Sequence, residues 1–435
     1  MPAEKPLRIA WLGGAPQETG GAPGVVTELL GGLARRGHQI ECFFPGSGVK
    51  LPNNLAEHEN LTFVWGTSEW RWNRWYSRGK VASFATGLLS RAIASIRLRR
   101  EIISRHRRQP YDVIYQNQTI ESLGVPSSLL RSVPLVIRPD SHMAGELRCL
   151  IAERELAFRC QPRHTFFVVA AIMAVRAVVQ RVKIRRASLL ICISSVFRDH
   201  IVNDYGFPLE KTVVICNPER LDRFAVVDHP VSDPPIVLVP TRISVRKGVE
   251  DVVAVARVLR DRGVTVRIRV IGGPSTWSDY TKLLDDLPAE NTEYGGRIPP
   301  ARMPQEIEAS DVVLLASKYD PCPMSVLEAL TAGVPVVATS EVGSIEDIDR
   351  AVTSEVPVGD VDGLATAVTV MLDRLRENPA KMHAIARAEA ERRFDPDVVC
   401  EQISDALERL VGADAEAPTS VRVHTSAQGS GQRFR

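Results

Sequence analysis

Two carboxylates, Asp320 and Glu328, stand with seven residues between them in the stretch from Ser310 to Ser340. Two cations, Arg242 and Lys247, stand in the pattern R-x-x-x-x-K within TRISVRKG, residues 241–248. Ionised carboxylates accept hydrogen bonds from hydroxyls, while guanidinium and ammonium groups hold phosphate, the first as a planar fork and the second as a point charge. The stretch around the acids reads as strand, loop, helix, strand. The apolar run Val312–Ala316 is short enough for a strand buried on both faces, and Val334–Thr339 repeats the pattern. Between them Met324–Thr331 reads as a helix, ended by Ala332-Gly333 with Pro335 beyond. Its first turn, at Met324 and Ser325, offers unpaired N–H groups to an anion. The ligand implied carries phosphate at one end and sugar hydroxyls at the other.

Such groups converge outside the carboxyl ends of a parallel sheet. A chain of 435 residues suggests two domains. The first opens with strand Leu7–Leu12, a glycine-rich loop, helix Val25–Arg35, Gly37 as C-cap and strand Gln39–Phe44, a βαβ start. Further strands are expected at Val113–Tyr115, Leu135–Arg138, Leu189–Ile193 and Thr212–Ile215. The second unit follows Asn217-Pro218 and the polar segment Asp228–Pro235. It has strands at Ile236–Val239 and Val266–Ile271, helices at Val249–Arg260 and near Tyr280–Leu287, and then the stretch holding the acids. Strands alternating with helices in two successive sets give an α/β protein of two doubly wound domains, with the ligand in the cleft between them. The expected division is 1–217, 218–396, a last helix over 397–411 and a disordered tail over 412–435.

The composition, 44% hydrophobic and 24% charged, is that of an ordinary soluble globular protein. A net charge of +2 conceals a division: residues 1–187 carry 27 Lys and Arg against 14 Asp and Glu, the remainder 27 against 38. That asymmetry points to an anionic surface near the first domain, and no nucleic-acid recognition motif is present. Residues 71–108 hold eleven cations and one acid, interleaved with Trp72, Trp75, Tyr76 and Phe84. Residues 159–186 hold seven cations and no acid around FFVVAAIMAV. Basic amphipathic helices of this kind suit an anionic bilayer, so a peripheral position on the cytoplasmic face of the cell membrane is expected. The apolar run Phe166–Val175 is half a membrane span and stops at Arg176. No signal peptide is expected before the first strand. Seven cysteines without a CxxC or Cys/His cluster indicate a reducing compartment and no structural zinc. Arg outnumbers Lys 45 to 9, which fits a GC-rich bacterial genome.

On these motifs the chain resembles a retaining glycosyltransferase of family 4, with the GT-B fold, from about Leu7 to Val411. The resemblance implies two Rossmann-like domains facing across a cleft. It also implies transfer of a hexosyl group from a nucleoside-diphosphate sugar to a lipid-linked or cell-envelope glycan acceptor. It places Met324 and Ser325 under the donor diphosphate, Glu328 on the ribose hydroxyls and Asp320 near the donor sugar. Asp320 replaces the family's usual Glu, and Pro323 replaces the usual glycine three residues on. Arg242 and Lys247 resemble the family's phosphate-binding pair; fixed cations there stabilise the diphosphate as the glycosidic bond breaks, in place of a metal ion. Gly20 and Gly21 resemble the first glycine loop, and Gly272-Gly273 after a strand adds support. On the acceptor side Asp140 stands where the family often has His, with His142 two residues on, and either fits the turn RPDSHMAGE near the reacting carbon. ICNPERLDRF, residues 215–224, resembles the domain junction, with Pro218 in place of a glycine. The mechanism implied is front-face: the departing phosphate oxygen takes the acceptor's proton, and no enzyme carboxylate need act as nucleophile.

Two cofactor readings fail on spacing. Gly13-Gly14 and Gly20-Gly21 do not form G-x-G-x-x-G, and no acid ends the second strand, which disfavours NAD. Asp347-Ile-Asp349, in an expected helix, and Asp360-Val-Asp362, in a turn, match a metal-binding Asp-x-Asp only in letters. No metal and no cofactor are expected, only a UDP-, GDP- or ADP-sugar as substrate. The rival readings are a catalytically silent GT-B partner of an active transferase, and a sugar-nucleotide epimerase or phosphorylase on the same architecture. The presence of both Arg242 and Lys247 favours an enzyme.

Overall fold

The structure, a computed structural model, describes residues 3, 5–17, 21–45, 51–66, 80–117, 125–274 and 279–416, with the backbone alone for 22, 80–92 and 414–416. Short apolar runs rich in β-branched residues between turns form the strands, and the central ones are buried on both faces, as covered parallel sheets require. In the first domain these are β1 (Arg8–Leu12), β2 (Gln39–Phe44), β3 (Leu61–Trp65), β4 (Val113–Asn117), β5 (Leu135–Arg138), β6 (Leu189–Cys192) and β7 (Thr212–Val214). They make one parallel sheet in the order β3-β2-β1-β4-β5-β6-β7. The second sheet comprises β8 (Ile236–Pro240), β9 (Arg267–Ile271), β10 (Thr292–Gly296), β11 (Val312–Leu315), β12 (Val336–Thr339) and β13 (Thr353–Val356). Its order, β10-β9-β8-β11-β12-β13, repeats the doubly wound plan. Each sheet has one switch point, between β1 and β4 and between β8 and β11, where the loops diverge to opposite faces and leave a crevice for ligand.

The helices of the first domain are α1 (Ala22–Arg35), α2 (Asn53–Ala56), α3 (Lys80–Arg108), α4 (Met143–Ala152), α5 (Arg154–Cys160), α6 (Arg163–Ile184) and α7 (Ser195–Tyr205). Those of the second are α8 (Val249–Asp261), α9 (Met303–Glu308), α10 (Met324–Thr331), α11 (Val361–Glu377) and α12 (Pro379–Phe394), and α13 (Pro396–Glu416) follows. Helix α8 shows the local logic: Val252, Val255, Ala256 and Leu259 recur at helical spacing and are buried, while Glu250 and Asp251 in its first turn complement the dipole. Helix α13 crosses back onto the first domain. His38 Nε2 lies 2.7 Å from Ser404 Oγ, Arg35 pairs with Asp397 at 2.8 Å, and Cys400 and Ile403 join the core under α1.

Several elements differ from the sequence expectation. Strands β3, β10 and β13 are edge strands; β10 and β13 are half-exposed and polar and so lack an apolar run, whereas β3 is the short run LTFVW, half-exposed at the sheet edge. The helix expected near Tyr280–Leu287 is a short 3₁₀ turn, Thr281–Leu284. Asp347–Asp349 lies in turns rather than a helix, with Asp347 at φ 59°. Helix α13 runs to Glu416, so the first residues of the expected disordered tail are helical. Trp72, Trp75, Tyr76, the side chain of Phe84, and residues 417–435 lie outside the described residues.

Candidate functional site

The loop after β8 carries the cations to the switch point. Gly272, at φ 138°, lies so near the Thr241 carbonyl that a Cβ would meet its oxygen at 1.7 Å. Gly248, at φ 60°, approaches the Ala316 carbonyl as closely, its Cβ position being 1.8 Å from the oxygen. Only glycine permits both contacts, and they hold residues 241–248 against the ends of β9 and β11. The loop after β11 is tied to the same segment, since the Lys318 N–H donates to the Arg246 carbonyl at 2.8 Å. Lys247 Nζ thereby forms a close ion pair with Asp320, and Arg246 Nη1 lies 3.7 Å from the other carboxylate oxygen. Arg246 also donates to the Tyr319 carbonyl at 3.2 Å. Burial depresses Lys247 below the usual lysine value, with Asp320 working against that and Arg246 adding to it. Arg242 is exposed at the mouth of the segment. Sequence reasoning paired Arg242 with Lys247; Arg246, nearer to Asp320, was missed because an R-K dipeptide in a loop has no distinguishing spacing.

Helix α10 starts at Met324 with Pro323 as N-cap and no side-chain cap, so its first N–H groups remain available to an anion. Asn217 of the junction donates to Cys322 Sγ at 3.3 Å and to Met324 Sδ at 3.6 Å. Arg138, fully buried at the end of β5, holds that asparagine by donating to its Oδ1 at 2.7 Å. Ser325 is half-buried beside Met324. Glu328, one turn on from Met324 and on the same helix face, is buried, and burial lifts its carboxyl above the usual range against the pull of Arg223. A second acid faces this place. Glu219, also buried, is pushed up to about 8 by burial and by Glu328, with Arg223 opposing from 3.2 Å. A pocket lined by Gly21, Glu28, Glu219, Arg220, Arg223 and Met324 joins the N-terminus of α1 to that of α10. Gly21 stands at the N-cap of α1, whereas Gly20 lies outside the described residues. Gly273 packs near Arg297 at the end of β9.

The loop after β5 separates its two candidate residues. Asp140 is exposed, yet desolvation by the surrounding protein holds its carboxyl above the usual range, against hydrogen bonding that includes Ser141 and against the charge of Arg138. His142 is not a solvent-facing loop residue: it is fully buried. Its Nδ1 lies 2.8 Å from the Tyr319 hydroxyl of the second domain and its Nε2 3.2 Å from Asp204 Oδ2. Burial drives its pKa down to about 4, with His200 and Arg148 adding to the shift and Asp204 opposing it. Two further links join the same faces of the domains: His200 Nε2 to Glu341 at 2.8 Å, and Ser194 Oγ donating to the Pro321 carbonyl at 2.7 Å. The structure therefore leaves Asp140 exposed and encloses His142 in the domain interface. Among the described residues no cluster of three or more His, Cys, Asp or Glu side chains is arranged to hold a metal ion.

The sequence pattern of "Glycosyltransferase Family 4" matches residues 19–223, and that of "Glycosyl transferases group 1" matches residues 224–389. The chain is 29% identical over 239 residues to a glycogen synthase of Mycobacterium tuberculosis, covering 53% of this chain and 55% of the relative. It is 26% identical over 239 residues to the putative colanic acid biosynthesis glycosyltransferase WcaL of Escherichia coli, covering 52% and 58%. The chain thus spans a little over half the length of these curated relatives. Among solved structures, Anabaena HepE in complex with UDP superposes with a TM-score of 0.58 at 19% identity, over 93% of this chain and all of that one, a likeness of fold.

Proposed function

The chain belongs to the GT-B glycosyltransferases of family 4, and on that premise we propose that it moves a hexosyl group, with retention, from a nucleoside-diphosphate sugar to a lipid-linked or cell-envelope glycan acceptor. The observation that carries this reading is the convergence of Arg246, Lys247 and Asp320 with the uncapped N-terminus of α10 at the β8/β11 switch point. The donor diphosphate lies on the N–H groups of Met324 and Ser325. It draws Lys247 away from Asp320, with Arg242 closing over it from the cleft mouth. Charge that grows on the leaving oxygen is met by cations already fixed in a partly buried site, which act more strongly there than in water. Glu328 accepts from the ribose hydroxyls, and Asp320, once its ammonium partner turns to phosphate, accepts from a hydroxyl of the donor sugar.

The acceptor enters from the first domain past Asp140. Its hydroxyl attacks from the face the diphosphate leaves, and its proton passes to the departing phosphate oxygen. Closure of the cleft keeps water from competing as acceptor. No step requires a metal. The basic surface of the first domain supports work at the cytoplasmic face of an anionic membrane. UDP bound to HepE and polymer synthesis by the named relatives support a UDP-sugar donor and a glycan acceptor. A panel of UDP-, GDP- and ADP-sugars scored by thermal shift and by nucleotide release tests this. One nucleotide should stabilise the protein, and turnover should persist in EDTA. Stabilisation by none of them, or complete dependence on added metal, would overturn the reading.

A further inference from the structure

Helix α6 is apolar on two opposite sides, and only one of them is covered. Phe166, Gln180 and Ile184 are buried against the domain. On the other side Val168, Ile172, Val175, Val179 and Val182 are 57%, 45%, 64%, 42% and 58% exposed, with Phe167 and Val178 beside them at 62% and 63%. At about 100° per residue, Val168, Ile172, Val175, Val179 and Val182 fall within a stripe about 80° wide, opposite the buried positions. On the same projection Arg176 and Lys183 lie along one shoulder of the stripe, while Phe167 and Val178 widen it on the other, with Arg163 and Arg181 beyond them toward the buried side. An apolar ridge with cations along one shoulder, two more beyond the other and no acid from 159 to 186 fits an anionic lipid surface: the ridge enters the acyl boundary while the long cationic side chains reach the phosphates. Neighbouring helix α3 continues the surface, with exposed Ile93 and Ile96 beside Arg97 and Arg100.

By length and composition α6 could cross a bilayer, but its packing rules that out. Gln180, fully buried in its inner face, accepts from the Met143 N–H at 2.9 Å and donates to the Ser141 carbonyl at 2.6 Å. The same side chain accepts from the Tyr205 hydroxyl at 2.7 Å. The bonds to Met143 and Ser141 are made with the loop that carries Asp140. Pulling α6 through a membrane would break them and leave their partners buried without hydrogen bonds.

We propose that α6 lies in the plane of an anionic bilayer with the stripe from Val168 to Val182 embedded, and that Gln180 thereby sets the Asp140 loop directly above the headgroups. The acceptor this arrangement fits is a lipid-anchored one, whose head rises past Asp140 into the cleft while its chain stays in the bilayer. The inference rests on the glycosyl-transfer reading for the acceptor's role, and on the exposed stripe alone for the docking.

The test uses the full chain with vesicles of phosphatidylcholine, with and without phosphatidylglycerol. The wild type should float with the anionic vesicles at low salt and much less with the zwitterionic ones. V175D together with V178D, both at exposed positions, should reduce flotation at least tenfold while the thermal shift produced by UDP stays unchanged. Flotation that survives this double change, or its absence from the wild type, overturns the docking. A concentration-dependent dimer that the double change dissolves, without flotation, would instead make the stripe an interface between copies and also overturn it. Absence of any nucleotide-induced shift in a protein that floats would sink the transfer reading and leave the docking standing.

Discussion

Replacing Asp320 by Asn should tighten the binding of a nucleoside diphosphate, whereas replacing Lys247 by Ala should weaken it. The opposite signs follow from the ion pair. Lys247 and Asp320 have side chains only 13% and 8% exposed, and each is the other's closest charged partner. A free diphosphate carries no sugar, so it meets Asp320 only as a competitor for Lys247. A hydrogen bond to a charged group contributes about 1.5–3 kcal/mol, and about 1.4 kcal/mol is a factor of ten in affinity. Removing the competing carboxylate returns part of that, about a tenfold gain. Removing the ammonium leaves the Asp320 carboxylate facing the phosphates with Arg246 3.7 Å away, and a loss of about 10- to 100-fold is expected.

Stability separates the two variants as well. Breaking a buried pair costs about 3–5 kcal/mol, and because Arg246 remains, Lys247→Ala belongs at the lower end. For a domain of about 200 residues that is a fall in Tm of about 6–12 °C. Adding Asp320→Asn to Lys247→Ala should recover part of this, since both halves of the pair are then gone. Titration calorimetry with UDP, GDP and ADP, alongside scanning calorimetry of the four proteins, reads all of these quantities. Weaker binding by Asp320→Asn, or strictly additive changes in Tm, would refute the argument.

Glu328→Gln should weaken the preferred nucleoside diphosphate about tenfold and lose most of the preference for it over its 2′-deoxy form, because a ribose hydroxyl then meets a neutral amide; an unchanged ratio in competition binding would remove the ribose assignment. The interface histidines should give the domain contact a stability optimum near pH 6.5. His200 is raised by its hydrogen bond to Glu341, so its contribution is complete below the usual histidine value of 6.5 and disappears as pH rises through its folded pKa. His142 is depressed by burial, so its contribution is complete above 6.5 and disappears as pH falls toward about 4. Scanning calorimetry from pH 4 to 9 should show both limbs, and His200→Gln should flatten the alkaline limb alone; loss of the acidic limb instead would reverse the assignment.

Much of this was legible in the chain because it is encoded locally. Helix α10 begins and ends at the residues expected, Met324 and Thr331, since a glycine stop and apolar neighbours within one turn define it. Both doubly wound units followed from alternating periodicities. The acids Asp320 and Glu328 were recognisable as a pair because they flank the start of that helix, one in the loop before it and one a turn inside it. The weakly patterned edge strands β10 and β13 were not legible, being stabilised by one neighbour rather than by burial on both faces.

What the tertiary structure decided is every choice between residues that look alike in sequence. Arg242, Arg246 and Lys247 are three cations in six residues, and only the approach of β11 identifies the two that face Asp320. Asp140 and His142 were equivalent candidates until Tyr319 and Asp204 enclosed the histidine. Glu219 had no signal at all, since its meeting with Glu328 depends on the junction passing beside α10. The apolar residues of α6 read as one hydrophobic run, and folding divided them into a buried side and an exposed one. Sequence specifies what each segment can become by itself, because backbone hydrogen bonding and periodicity act over a few residues. Burial, charge pairing and exposure are set by segments distant in the chain, and they exist only once the two sheets have brought those segments together.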